Sequence, residues 1–530
     1  MAASAGAIRV VERAIANKAA EKDVREDRGT GKKTPNQPAA STQATQSRII
    51  RRYHGCFEAR EQPTLRANPP ILPGRFARLR SAAAGLQPQR APVPAGIDRS
   101  SWNGPGSVLD KLTLGYDPLV MSAPAAYAPP VPHVARGSAA YRKISLALFL
   151  AGFGTFSLIY CVQPLLPLLA EEFHVGAAQS SLALSLTTGA LAFAIFAAAA
   201  VSERFGRREL MFASIGLASL LNLAVAVTPG WHAILALRAV EGLAIGGVPA
   251  IAIAYLAEEI EPNGLGFAMG LYIAGTALGG MAGRVLTGIL AEFLTWRLAL
   301  AIVGLGGLVL ALGFVLLLPP SRHFTPRKGF DLRYHLRAWA SHVGRERPGA
   351  VLAKPLLFAV AFCGFGSFVT VYNYAGFRLM APPFDLSPTQ TGLIFTVYLF
   401  GTVSSSLGGM AADRLGRAPV LIAGLLTMAV GIGLTLSSSL TGIIAGIAVL
   451  TAGQFACHAV ASGWVGRLGG ASKGHAASLY MLAYYLGASI VGSTGGWFWS
   501  VGGWQAVVGF TLVLIALAVA CAVRLIRSGR

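Results

Sequence analysis

Charge is scarce in this chain. Only 13% of its 530 residues are Asp, Glu, Lys or Arg, about half the share that a soluble protein uses to cover its surface. Acids are the scarcer sign, 23 against 44 basic residues. Cysteine is nearly missing: Cys56, Cys161, Cys363, Cys457 and Cys521 show no Cys-x-x-Cys and no metal-ligand spacing, so they read as small apolar packing residues without disulfides. No Gly-x-x-x-x-Gly-Lys-Ser/Thr stretch occurs, which gives no support to an ATP-driven machine. What fills the chain is apolar: 54% hydrophobic residues and a mean hydropathy of +0.57. The 63 glycines follow no three-residue period, and that excludes collagen, while the apolar share excludes global disorder. A net charge of +21 on such a chain marks either a nucleic-acid binder or a topological signal. The positions of the basic residues decide between them.

Residues 1–120 are a different polymer from the rest. They hold 19 Lys/Arg and 10 Asp/Glu and no apolar run that could cross a bilayer, and prolines are scattered from Pro63 to Pro94. Such composition buries too little to offset chain entropy, so residues 1–140 are expected to form a disordered, basic, Pro-rich tail. No apolar core follows the early basic residues, unlike a secretory signal, and Glu12, Glu21, Asp23, Glu26 and Asp27 disfavour a mitochondrial transit peptide. Met121 opens a short polar lead into the first apolar run at Ile144. It is expected to be an alternative natural start, with the tail incidental to function; loss of activity on deleting residues 1–120, with expression intact, would sink this expectation.

From Ile144 onward the chain offers twelve apolar stretches of the length a membrane helix needs, about 20 residues. They lie near 144–170, 181–201, 210–228, 232–257, 264–290, 296–318, 355–380, 388–411, 418–437, 441–466, 474–500 and 503–523. Loops on the side of the C-terminus carry nearly all the loop basic residues, among them Arg204, Arg207, Arg208, the run from Arg322 to Lys354, Arg414, Arg417, Arg467 and Lys473. The opposite side has Arg297 and Arg378. The positive-inside rule then puts both termini in the cytoplasm. Trp231, Trp296, Trp497, Trp499 and Trp504 fall near the outer ends of spans, as an interfacial aromatic belt should. The charge is topology, and no nucleic-acid partner is expected. The longest internal connection, 319–353, separates residues 141–318 from 354–530 and divides the spans six and six. Within it Leu332, Leu336, Trp339 and Val343 recur at helical spacing among basic residues, which suits a helix lying on the membrane surface.

The two halves repeat. Ser202-Glu203-Arg204-Phe205-Gly206-Arg207-Arg208 stands between the second and third spans, and Asp413-Arg414-Leu415-Gly416-Arg417 between the eighth and ninth. The acid can accept hydrogen bonds at a helix N-terminus, the glycine permits a tight turn, and the arginines can pair across the interface between halves, holding one conformation and releasing in another. Twelve spans, a long central loop and this duplicated motif resemble the major facilitator superfamily over residues 141–530. The resemblance implies an all-α integral membrane fold of twelve transmembrane helices in two six-helix bundles, which rock about a central cavity. Glu203 stands for the family's usual Asp and Ala199 for its leading Gly. Leu237-Arg238-Ala-Val-Glu241-Gly242 resembles the family helix whose arginine is implicated in proton coupling. The stretch from Gly270 through Gly275, Gly279, Gly280 and Gly283 to Arg284 looks like the glycine-rich fifth helix of proton-driven exporters, though without its usual proline; close helix packing is the alternative reading. Together with Tyr160-Cys161-Val162-Gln163-Pro164, the ensemble most resembles the bacterial YnfM-type efflux subgroup.

Three charges stand at bilayer depth, where charge is costly and usually functional: Arg238, Glu241 and Arg284. Counting from the span midpoints at 1.5 Å per residue puts both arginines about 10 Å toward the outer side. Glu241 shares a helical face with Arg238, and an Arg238–Glu241–Arg284 cluster is expected. It reads as a proton-coupling site, as a static ion triad, or as one arginine set against an anionic substrate. Gln163, Tyr372, Asn373, Tyr374, Gln454, His458, Tyr480 and Tyr484 are candidate cavity residues, because aromatic and amide groups in an apolar cavity suit amphipathic organic molecules.

The resemblance implies secondary active transport by a monomer in the bacterial inner membrane, with a small-molecule substrate, protons as coupling ion, and no cofactor or metal. Efflux by proton antiport is the leading expectation; uptake of an organic anion and a transport-incompetent receptor are the alternatives. An enzyme is not expected, for no His-x-x-x-His, Ser/His/Asp set or paired intramembrane acids occur.

Overall fold

A computed structural model describes residues 132–201, 206–324, 332–344 and 353–528. The tail expected over residues 1–140 lies outside the described residues except for its last nine. Those nine are held in place. Val134 forms a parallel bridge with Ile260, Arg136 N donates to Glu261 Oε1 at 3.0 Å, and Ser138 caps the first helix by accepting from Tyr141 N.

The described residues are helical apart from turns and the isolated bridge, as the bilayer demands: with no water to satisfy N–H and C=O groups, a spanning segment must bond them within itself. The helices are α1 (Ala139–Tyr160), α2 (Leu166–Glu172), α3 (Ala177–Val201), α4 (Arg207–Val227), α5 (Trp231–Ile245), α6 (Gly247–Glu259), α7 (Pro262–Phe293) and α8 (Trp296–Leu317) in the first half. A connecting helix α9 (Leu332–Val343) leads to α10 (Ala353–Leu379), α11 (Pro388–Leu393), α12 (Tyr398–Leu415), α13 (Arg417–Leu434), α14 (Leu440–Leu468) and α15 (Lys473–Ser528). Among the described residues eleven segments are long and apolar enough to cross a membrane. The last, 54 residues long, would extend about 80 Å if straight, against a hydrocarbon core of about 30 Å. It is broken at Gly502 and Gly503, whose φ of −143° and 57° are not helical. Phe498 and Phe510 on either side of the break stack at 4.2 Å, so the chain turns back there and crosses twice. Twelve crossings result, six in each half.

Within the first half, α7 lies directly on α1. A Cβ placed on Gly275, Gly279 or Gly283 would come within 2.5, 2.1 and 2.6 Å of the carbonyl oxygens of Phe149, Phe153 and Ser157. The glycine stripe therefore serves backbone-to-backbone packing, which is how helices associate where no hydrophobic drive exists between them.

Two surface features follow from side-chain packing. In α9 the side chains turned inward are His335, Trp339 and His342, while Leu336 and Val343 are each 53% exposed. Trp339 is held from both halves: its ring stacks on Phe196 of α3 at 3.7 Å, and its Nε1 donates to Ser478 of α15 at 3.1 Å. Of the apolar stripe, Trp339 packs into the protein, and Leu336 and Val343 stay on the outer face of the helix. Of the tryptophans assigned to an aromatic belt, Trp296 and Trp504 are buried and donate to Glu172 and to the Thr435 carbonyl, because a buried indole N–H needs an acceptor. Trp497, by contrast, is 59% exposed.

Candidate functional site

Arg238 and Glu241, one helical turn apart on α5, are fully buried and paired at 2.7 Å. The guanidinium also donates from Nε to Ala183 O at 2.9 Å, from Nη1 to Leu158 O at 3.3 Å and from Nη2 to Ile159 O at 2.8 Å. The last two carbonyls belong to the final turn of α1, just before the helix breaks at Cys161–Gln163 and restarts at Leu166 with Pro164 and Pro167 close by. Glu241 Oε2 takes the arginine, and its Oε1 has no hydrogen-bond partner.

The expected three-residue cluster is a pair. Arg284 makes no ion pair with Glu241 or with any other described carboxylate. Its helix turns it toward the second half, where its guanidinium carbon lies 4.7 Å from the Tyr398 ring centre and 5.2 Å from that of Phe395. From the first half Tyr160 covers it at 3.8 Å. Its Nε donates to Gln163 Oε1 at 2.5 Å and its Nη1 to Gly280 O at 2.6 Å. Gln163 in turn donates from Nε2 to Asn373 Oδ1 at 2.7 Å, a bond between the halves.

Other bonds between the halves gather toward the same end. Ser489 Oγ donates to Ser185 O at 2.7 Å, and Glu292 Oε2 accepts from Ser387 Oγ at 2.6 Å and from Thr389 N at 2.9 Å. There α7 meets α11 backbone to backbone, a Cβ on Gly288 falling 2.8 Å from the Gly392 Cα. These contacts close the end that bears the turns 173–176 and 380–387, opposite the repeated loops.

Of the remaining cavity candidates, Tyr372 shares a hydrogen bond with Thr451 at 2.8 Å, and Gln454 Oε1 is buried without a partner. His458 Nδ1 and Tyr480 Oη share a bond at 3.1 Å, and the His458 ring lies 4.6 Å from that of Tyr484. Tyr374 points away from Arg284 and donates to Gly492 O at 2.9 Å. Sequence reasoning missed Tyr398 and Phe395, and also passed over Tyr160 as a site residue. The signal for Tyr160 was its place three residues before Gln163, next to the helix break.

Glu203 and Arg204 lie outside the described residues. Gly206 and Gly416 adopt φ of 38° and 88° and stand at the N-terminus of α4 and of α13, so the same left-handed turn is built twice. Several of the bonds made by the charges around them run within one half. Arg207 grips Glu258 with Nε at 2.6 Å and with Nη2, Arg208 donates to Val315 O at 2.7 Å, and exposed Asp413 lies 3.9 Å from Arg467. Arg414 is exposed and Arg417 half-buried beside them.

Two six-helix halves, joined at one end by paired polar side chains and carrying buried charge in one of them, define a membrane carrier rather than an enzyme. The chain belongs to the Major Facilitator Superfamily, whose model matches residues 145–378 and 356–529. It is 42% identical over 398 residues to the inner membrane transport protein YnfM of Escherichia coli (strain K12), covering 74% of this chain and 93% of the relative. It is 41% identical over 386 residues to the MFS-type transporter YybF of Bacillus subtilis (strain 168), covering 73% and 94%. Its fold matches the crystal structure of a bacterial homolog of the human lysosomal transporter Spinster in an inward-facing and unoccupied conformation, with a TM-score of 0.61 at 16% identity, covering 73% of this chain and 97% of that one.

Proposed function

We propose that this transporter exports a small organic compound in exchange for protons by alternating access, as a monomer in a bacterial inner membrane with both termini in the cytoplasm. On that reading the closed end is the outer one, and the repeated loops form the inner gate. The observation that carries proton coupling is the position of the Arg238–Glu241 pair. Arg238 holds the Leu158 and Ile159 carbonyls, and the same stretch of chain supplies Tyr160 and Gln163 to the outer closure. A proton on Glu241 removes the negative partner of Arg238, leaves the cation balanced by carbonyl oxygens alone, and so changes how it holds the end of α1. The Gln163–Asn373 bond then moves with that segment. A neutral carboxyl also has a proton to donate, and Glu241 Oε1 is the unpartnered atom that can carry it.

The test is a substrate screen in everted membrane vesicles with an imposed proton gradient. Gradient-dependent accumulation inside wild-type vesicles supports export, and Glu241→Gln should leave substrate binding while abolishing the dependence on the gradient. Unchanged coupled transport in Glu241→Gln removes the coupling role.

A further inference from the structure

The two buried arginines differ in what balances them. Arg238 has a carboxylate and three carbonyl oxygens. Arg284 is 1% exposed, yet its acceptors Gln163 Oε1 and Gly280 O are both neutral. Ring faces supply the rest of its surroundings, and cation–π attraction at a desolvated site gives only part of what a counter-ion gives. A buried cation in a membrane without a counter-ion is expensive, and it repels positively charged solutes.

The groups next to it are suited to an incoming molecule. Asn373, bonded through Oδ1 to Gln163, is 1% exposed and its Nδ2 has no acceptor. An unpaired N–H donor thus stands one residue beyond the guanidinium. From Tyr398 the rings continue inward: Phe368 lies 5.8 Å from Tyr398, Phe365 5.9 Å from Phe368, and Tyr484 stacks on Phe365 at 3.6 Å and 11°. In this closed arrangement the rings cover one another, Phe368 being 1% and Tyr398 8% exposed, and when the halves part their flat faces favour a planar aromatic guest. The corresponding position in the second half, 210 residues on, is the uncharged Thr494, so one positive charge is left to be matched.

We propose that Arg284 anchors the negative charge of an aromatic monoanion, a carboxylate or sulfonate on a planar ring, whose ring lies against the Tyr398–Phe368 wall between the halves. This rests on the transport reading above and names its substrate class.

The probes are naphthalene-1-sulfonate, the neutral naphthalene-1-sulfonamide, and the cation (1-naphthyl)trimethylammonium, titrated against the full-length protein in detergent with tryptophan fluorescence and melting midpoint as readouts. The sulfonate should bind at least tenfold more tightly than the other two. Arg284→Gln should erase that preference, while Tyr398→Leu should weaken the sulfonate severalfold and keep the preference for negative charge. Equal binding of the three probes to wild-type protein overturns the proposal without any variant, so a failure of Arg284→Gln to fold does not protect it. An unchanged sulfonate preference in folded Arg284→Gln overturns it too. The vesicle assay separates the two readings. Gradient-driven movement of the cation or the sulfonamide but not the sulfonate keeps the transport reading and removes the anion site. Sulfonate binding that needs Arg284, with no gradient-driven movement of any probe, keeps the anion site and removes proton-coupled export.

Discussion

Gln163 and Asn373 donate and accept across the two halves of the molecule, and they are 210 residues apart. The same separation relates Gly206 to Gly416 and Arg207 to Arg417 in the repeated loops. The two amides therefore occupy equivalent places in the two repeats and meet where the repeats are related by their common axis. Bonding between symmetry-equivalent residues fastens the halves without favouring either.

The first prediction concerns that bond. Asn373→Ala removes the acceptor of Gln163 Nε2 and leaves a buried donor unsatisfied, at a cost of about 1–3 kcal/mol to the closed arrangement. A conformational balance shifted by about 1.4 kcal/mol changes tenfold. Maleimide labelling of a cysteine introduced at half-buried Thr389, read from the side of the 380–387 turn, should accelerate by about that factor. An unchanged labelling rate would mean the amide pair does not hold this end.

The buried ion pair makes a second. Arg238→Ala leaves Glu241 and the Ala183, Leu158 and Ile159 carbonyls without their donor, and breaking a buried pair from one side costs about 3–5 kcal/mol. Its melting midpoint should fall well below that of Glu241→Gln, which keeps an acceptor for the arginine. A thermal melt of both variants in one detergent checks the order.

The glycine stripe gives a third. Gly279→Val should abolish folded protein in the membrane, since even a Cβ there falls 2.1 Å from Phe153 O. Gly270→Ala, where nothing lies within 4 Å of the added atom, should be neutral or slightly stabilising, because alanine costs less backbone entropy in a helix. Gel-filtration yield of tagged variants is the measurement. Equal yields would contradict the close α1–α7 contact.

The connecting helix gives a fourth. Trp339→Ala loses the stack on Phe196 and the bond to Ser478 and should speed exchange between conformations with little loss of fold. Trp339→Phe keeps the ring stack and should stay near wild type. Transport rate against melting midpoint separates this from simple destabilisation; a rate that falls in step with stability would refute it.

Much of the fold was legible because a bilayer turns composition into structure. Apolar stretches of about 20 residues, with basic loops on one side only, admit one solution, and the repeated Gly206 and Gly416 turns announced the duplication. What was not legible depends on how helices rotate against one another. Rise per residue set the depth of Arg238 and Arg284, but depth carries no azimuth, so the sequence grouped Arg284 with Glu241 where packing turns it to Tyr398. The stripe of Gly275, Gly279 and Gly283 was equally compatible with an exporter motif and with packing, and only the position of α1 against it shows the backbone contact. In α9, periodicity named Leu332, Leu336, Trp339 and Val343 together, and the crevice between Phe196 and Ser478 takes Trp339 from that set. The partners that missed notice, Tyr398 and Phe395, lie over a hundred residues from Arg284 and share no local pattern with it.

The helix α9 belongs to neither repeat. Its Trp339 fastens the two halves at the end opposite the Gln163–Asn373 pair. The inner doubling therefore does not extend to every latch: the Gln163–Asn373 amides are matched across the axis, whereas the Trp339 ring comes from outside the repeats. On the alternating-access reading, unlike latches give the two facings unequal resting populations even with no gradient across the membrane, and a change at Trp339 shifts that balance from one end alone.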